Sequence, residues 1–280
     1  MDTDLARDMW RVLEPLHAVS YFSAECRAAN KAIGLRGFWM GYFATRSAPL
    51  GAVGPSVVEA TFYGFHPAMV RRAIPDAWSF ATPDTVIATR TIAAAAVLRN
   101  LVPDITTVAA RTVPHLRDAI AAAEVAGRPL FAANRDLPVP GDAVHALWQA
   151  ATALREHRGD GHVACLLSEG IDGCEAHVLF SAARGVPPQL WRDNRGWSET
   201  DWEAARERLI ERKLLDAEGI TDPGRALREH LEARTDALAM TAYRGVPGML
   251  ETLSVLTPAA RAVARSGEVP YPNPMGADPA

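Results

Sequence analysis

The chain predicts an all-α protein, carrying at most short β-wings, in which two similar helical units lie about a pseudo-twofold axis. Three observations predict it. Alanine leads the composition of the 280 residues, with runs at 93–96 and 121–123, and alanine costs least in a helix. Few stretches alternate apolar and polar residues in the manner of a strand. Segments of the first half also recur in the second. His17-Ala-Val-Ser-Tyr-Phe-Ser23 is echoed by His162-Val-Ala-Cys-Leu-Leu-Ser168, with Glu25 and Glu169 following, and Gly34-Leu-Arg-Gly37 by Gly170-Ile-Asp-Gly173. Phe43-Ala-Thr-Arg46 and Phe180-Ser-Ala-Ala-Arg184 follow, each shortly before a proline. A repeat on the scale of a fold makes the seam between copies a natural place for a ligand cavity.

The first unit covers residues 1–102. A helix is expected over 5–16, where Trp10, Leu13 and His17 fall at helical spacing and Pro15 bends or ends the stretch. A second is expected over 24–32, stopped by Gly34. The third, 38–45, holds Phe38, Trp39, Tyr42 and Phe43 and is apolar nearly all round, the pattern of a buried helix. Residues 57–65 suit helix or strand, and Pro67 starts a short helix that Pro75 and Asp76 stop. Thr82-Pro83-Asp84 combines an N-cap with proline at the first helical position and opens a helix to about Leu101.

Residues 103–142 form a linker with one helix, 114–126, and a turn-rich end, Leu137-Pro-Val-Pro-Gly-Asp142. The second unit, 143–245, begins with a helix over 143–157 that breaks at Arg158-Gly-Asp-Gly161 and resumes at His162. Another helix covers 173–184. Ser198 with Asp201 three residues on marks the start of a helix over 201–212, whose buried stripe is Trp202, Ala205, Leu209 and Ile210. Residues 214–220 make a tight turn, and Thr221-Asp-Pro-Gly224 caps a long helix to about Leu238. The stretch 258–280 follows Thr257-Pro258, grows rich in glycine and proline, and is expected to be disordered.

A hydrophobic fraction of 49% with 22% charge is ordinary for a globular protein, and the net charge of −4 is a poor global footprint for one that lives on phosphate backbones. Cys26, Cys165 and Cys174 show neither CxxC spacing nor a disulfide framework and suit a reducing compartment. The start of the chain lacks the basic-then-apolar pattern of a signal peptide and no apolar run reaches spanning length, so no membrane partner and a cytoplasmic location are expected. Phosphate loops, dinucleotide fingerprints, nucleophile elbows and HExxH are absent from the sequence.

Leu209-Ile-Glu-Arg212-Lys-Leu214-Leu215 and Ile220-Thr221-Asp-Pro-Gly224-Arg-Ala-Leu227 resemble the distal part of a MarR-like winged helix, in which a recognition helix, a β-wing and a further helix follow one another. The wing here, Asp216-Ala-Glu-Gly219, is short and acidic, and Glu203, Glu207 and Glu211 stand beside Arg206, Arg208, Arg212 and Lys213, which opposes binding to phosphates. Taken whole, through Gly34-Leu-Arg-Gly-Phe-Trp39, the segment 155–162 and the segment 197–224, the chain is similar to an actinobacterial family of SalK-like helix-turn-helix proteins. That resemblance implies a fold and brings no reaction with it.

The densest polar cluster is Arg155-Glu156-His157-Arg158-Gly159-Asp160-Gly161-His162. His157, Arg158, Asp160 and His162 could line a catalytic site working by acid/base chemistry. Alternatively the glycines form a helix junction, Asp160 caps the helix opening near His162, and Arg158 neutralises an acidic neighbour. His17 and His162 hold equivalent places in the two copies and could face one cavity, holding a metal or a haem iron, or each could be a satisfied core histidine. Tyr21, Trp39, Tyr42 and Phe43, with His17 and the repeat-equivalent Arg46 and Arg184, are candidates to bind a small apolar or aromatic molecule; the plainer readings are core packing for the rings and pairing with Glu25 and Glu169 for the arginines. Three functions follow in order: a small-molecule-binding protein with its cavity between the copies, an enzyme using the histidine-rich cluster, and a DNA-binding regulator.

Overall fold

The structure, a computed structural model, describes residues 4–271. Its first part consists of α1 (Asp4–Phe22), α2 (Ala24–Ala32), α3 (Gly37–Ser47), α4 (Pro55–Phe62), α5 (Pro67–Arg71), α6 (Ala77–Phe80) and α7 (Pro83–Leu101). Next come α8 (Ile105–Ala122), α9 (Pro129–Arg135) and the long α10 (Ala143–Ser168). The remainder is α11 (Gly173–Arg184), α12 (Pro188–Arg195), α13 (Glu199–Glu211), α14 (Asp222–Met240) and α15 (Met249–Arg265). Among the described residues the only β-pairing outside helices is an isolated antiparallel bridge between Leu215 and Ile220, so the protein is all-α as expected.

The helix starts follow the capping residues. Thr82 accepts from the Thr85 N–H to open α7, and Thr221 accepts from the Gly224 N–H to open α14. Asp172 with Glu175 and Ser198 with Asp201 form reciprocal capping boxes at α11 and α13.

Prolines behave differently from their sequence reading. Pro15, Pro114 and Pro258 lie inside α1, α8 and α15 rather than ending or starting them. Each removes one hydrogen bond to the carbonyl four residues earlier. Those carbonyls belong to Arg11, Ala110 and Ser254, all exposed, so water can take the lost donor's place while the opposite faces stay packed. The tail expected to be disordered from 258 is therefore helical to Arg265; its last part, 272–280, lies outside the described residues. Residues 103–142 likewise carry two helices, α8 and α9, both packed on α10.

Three buried apolar clusters organise the molecule. The largest joins α1, α7, α8, α10 and α15 around Trp148, 1% exposed, whose indole N–H donates to the His17 carbonyl at 3.3 Å. The second gathers the aromatic side chains of α3, α4 and the 63–65 loop. The third packs α11, α13 and α14 against the end of α10. The first half of α10 belongs to the first cluster and Cys165 and Leu166, near its end, to the third.

The break expected at 158–161 does not occur: α10 runs through it for 26 residues. Gly161 is there for space. A Cβ on it would stand 2.8 Å from Arg128 Nη1, whose guanidinium is buried beneath the helix and donates to the carbonyls of His157 and Leu238, the latter at 3.1 Å. Asp160 caps α9 rather than its own helix, accepting from the Phe131 N–H at 2.9 Å. Gly159 has no such duty; a Cβ there meets nothing nearer than 3.4 Å.

The two glycines therefore respond oppositely. Gly159→Ala raises stability by about 0.5–1 kcal/mol through helix propensity, whereas Gly161→Ala displaces a bonded guanidinium and lowers stability by about 1–3 kcal/mol. Thermal or urea unfolding of the two variants side by side checks the sign of each.

Candidate functional site

Between the second and third clusters the side chains line a cavity of about 210 Å³. Trp10 of α1, Tyr42 and Arg46 of α3, and Phe62 with the 63–65 loop form one wall; α10, α11, α12 and α14 form the others. Helical periodicity selects the α10 contribution: Arg155, Arg158, Gly159, His162, Val163 and Leu166 repeat at three- and four-residue intervals on a single face. Close approach is needed at the rim, where a Cβ on Gly173 at the first turn of α11 would stand 2.2 Å from the Tyr63 carbonyl oxygen.

A buried ion network backs this wall. The Glu156 side chain is fully buried, and it accepts from Arg46 Nε and Nη2 at 2.8 and 2.9 Å and from Arg155 Nη1 at 2.9 Å. Burial alone would raise its pKa; the Arg46 and Arg155 guanidiniums more than reverse that and hold the carboxyl well below its ordinary range. Arg155 Nε continues to Glu14 at 3.2 Å, and Glu14 accepts from the Trp10 indole at 3.1 Å. A second group joins α1, α10 and α14: Arg158 donates to Asp236 at 2.9 Å and Glu232 at 3.2 Å, and Arg7 Nε donates to Asp236 at 2.7 Å.

Four cavity guanidiniums also stack on aromatic rings: Arg46 on Phe62, Arg158 on Trp10, Arg195 on Phe65 and Arg228 on Phe180, with guanidinium-to-centroid distances of 4.3, 4.4, 4.4 and 4.8 Å. Burial, with Arg46 and Arg155 nearby, outweighs the opposing influence of Tyr42 and pulls Arg195 down to about 10. The histidines are neutral. His162 falls to about 4 through burial, which prevails over the opposing pull of Glu232 and is aided by Arg158 and Arg228, and His177 falls to about 3 through burial and Arg195. The Thr235 hydroxyl gives its proton to the Leu231 carbonyl, so it accepts from His162 Nδ1–H at 3.0 Å and leaves Nε2 as the acceptor.

The residues expected from sequence are partly brought together. Arg158 and His162 face the cavity, while His157 and Asp160 point to the other side of α10, against Phe131. They cannot share one site because they lie on different faces of an unbroken helix, which corrects the expected catalytic foursome. His17 is 1% exposed, donates through Nδ1 to Thr152 at 2.9 Å and lies between Tyr21 and Trp148, lining no part of the cavity. The expected His17–His162 metal pair is not assembled there. Among the described residues no group of three or more His, Cys, Asp and Glu side chains is placed to hold a metal.

Tyr42 and Arg46 line the cavity, and Arg46 pairs with Glu156 rather than Glu25. Tyr21 instead lines a separate, larger recess of about 470 Å³ between α1, α2 and α3, where Tyr42 is a shared wall. Trp39 and Phe43 pack in the aromatic cluster with Phe65, and Arg184 is exposed at the end of α11. Arg155, Glu156, His177, Trp191, Arg195 and Arg228 were not singled out from sequence. The periodicity of α10 could have found Arg155; the others depend on contacts between distant segments.

The segment that resembles a winged helix in sequence comprises α13, the turn closed by the Leu215–Ile220 bridge, and α14. Its arginines are used internally. Arg208 binds Glu175 at 2.8 Å and Asp172 at 2.5 Å, Arg212 donates to the carbonyls of Gly170 and Glu169, and Arg206 to that of Asp216. Glu199, Glu203, Glu207 and Glu211, spaced by four, are all exposed, as is Lys213 beyond the helix end. Asp216 accepts from the N–H groups of Glu218 and Gly219, so the acidic wing residue shapes its own turn.

Among known proteins, the model of a family described as a helix-turn-helix family matches residues 6–270. No curated protein and no solved structure matches the chain. No helix among the described residues is long and apolar enough to cross a membrane.

Two outcomes test this geometry. Glu156→Gln leaves two buried guanidiniums facing a neutral group and lowers unfolding free energy by about 3–5 kcal/mol in urea titration. Asp160 is raised from 3.8 to about 7, by burial first and by Glu156 second. Folding therefore favours its protonated form, and that stability is present below the unfolded pKa and lost as pH rises through about 7. Asp160→Asn removes this loss, so its stability relative to the parent chain improves steadily between pH 4 and pH 8 in unfolding curves; an unchanged difference across that window refutes the assignment.

Proposed function

The chain belongs to that helix-turn-helix family, and from this premise we propose that it is a small-molecule-binding protein whose ligand occupies the arginine-lined cavity, on a scaffold not used to read DNA. One observation carries the reading. The basic side chains that would meet phosphates, Arg206, Arg208 and Arg212, are each hydrogen-bonded to acceptors of this chain, Arg208 and Arg212 while still exposed, and four exposed glutamates of the same helix stand beside them. Carboxylates on that face repel a phosphate backbone, and the guanidiniums would have to abandon their internal partners to reach it.

The cavity offers what the outer face lacks: aromatic walls and polar groups converging from two parts of the chain. The resemblance between those parts supports two related units. The echoed segments 17–23 and 162–168 fall at or just beyond the ends of α1 and α10, and the matching Thr-capped helices α7 and α14 have the same length, 19 residues. In this reading the ligand lies against residues of both units.

Two measurements decide it. A band-shift assay with random-sequence duplex at low salt is expected to show no complex; a shift abolished by Arg208→Ala reverses the conclusion. Thermal unfolding with one-ring aromatic compounds (toluene, phenol, benzoate) is expected to show stabilisation, about 2.7 kcal/mol at a hundred times the dissociation constant. Val163→Trp, which fills the cavity from α10, abolishes the effect. Equal stabilisation of that variant places the ligand elsewhere.

A further inference from the structure

We propose that this cavity selects an ionised aromatic carboxylate of one-ring size, of the benzoate class; this rests on the small-molecule reading above and names its ligand. Size is the first constraint. About 210 Å³ lies below the roughly 300–1,000 Å³ of sites for drug-sized ligands, which restricts the occupant to about one ring and a substituent.

Charge is the second constraint. Arg46, Arg155, Arg158, Arg195 and Arg228 line the cavity, and among the described residues Glu232 is the one carboxylate that does. Glu232 is already engaged by Arg7, Arg158 and Arg228. Behind the wall, Glu156 and Glu14 are committed to Arg46 and Arg155. The neutral histidines add no negative charge.

Unmet hydrogen-bonding groups are the third constraint, and they set the polarity of the ligand's head. Arg158 Nε and Trp191 Nε1 belong to residues lining the cavity, are closed off even from water and have no partner, so an occupant meets them only where the lining side chains shift. Both are donors only, so they require an acceptor, and an orphaned buried donor is costly. A carboxylate supplies several acceptor positions and a full negative charge; an amide or alcohol supplies less of both. Four guanidiniums lie over aromatic rings, and the remaining aromatic wall suits a flat apolar body.

Isothermal titration of the full chain with benzoate and with its neutral isostere benzamide separates the two layers of the argument. Benzoate is expected to bind at least about tenfold more tightly than benzamide, with the advantage reduced in high salt. Trp191→Phe keeps the ring, removes the indole donor, and is expected to weaken benzoate about five- to tenfold, with benzamide less affected. Arg228→Gln, outside the Glu156 network, is expected to weaken benzoate likewise. Equal affinity for both compounds, wild-type benzoate binding by both variants, or no benzoate binding overturns the carboxylate assignment. Stabilisation by toluene in those cases preserves the cavity as a binding site, and its absence removes both readings.

Discussion

The structure depends on one buried carboxylate. Glu156 of α10 ties α3 through Arg46 and, through Arg155 and Glu14, α1. Such a triad is no simple source of stability, because removing three charges from water costs several kcal/mol per ion and the mutual attraction only offsets it. Its effect is on geometry. With both oxygens of Glu156 engaged, α3 has one register on α10 in which no guanidinium is stranded, and that register sets Tyr42 and Arg46 into the cavity wall. Arg46 is held on a second side by the Phe62 ring, so it supplies potential to the cavity without being free to swing into it.

The segment around α13 shows the same logic applied to a surface. Arg208 reaches the two acids of the α11 capping box, so one guanidinium both secures a helix start and fastens α13 to it. Arg212 then closes the carbonyl ends left by α10 at Glu169 and Gly170. α13 is thus stitched to its neighbours by its own arginines.

Much of the helical order was legible because local chemistry controls it. Thr82, Ser198 and Thr221 mark helix starts by side-chain oxygens within reach of their own N–H groups, and the buried stripe of Trp202, Ala205 and Leu209 follows from spacing alone. Legibility failed where a residue's role is set by something distant in the chain. Gly161 suggests a break until Arg128 is seen beneath it, and Pro15, Pro114 and Pro258 suggest boundaries until the burial of their helices is known. For the candidate site, Arg158 and His162 are four apart on one face of α10, and a helix drawn through the glycines sets Asp160 aside by the same count. Arg46–Glu156 and Arg7–Asp236, separated by 110 and 229 residues, carry no local signature.

The continuity of α10 has a mechanical consequence. Its 26 residues at 1.5 Å each make a rod about 39 Å long, clamped along one half by the main core and bearing the third cluster at its free end. The cavity-facing residues 155–166 sit just past the clamp. A body wedged there loads the rod near its fulcrum, and a tilt of only a few degrees becomes a displacement of an ångström or more at Ser168, where α11 and the segment around α13 are attached. If the cavity is filled as proposed, an uninterrupted helix would make the outer segment an indicator arm for its occupancy.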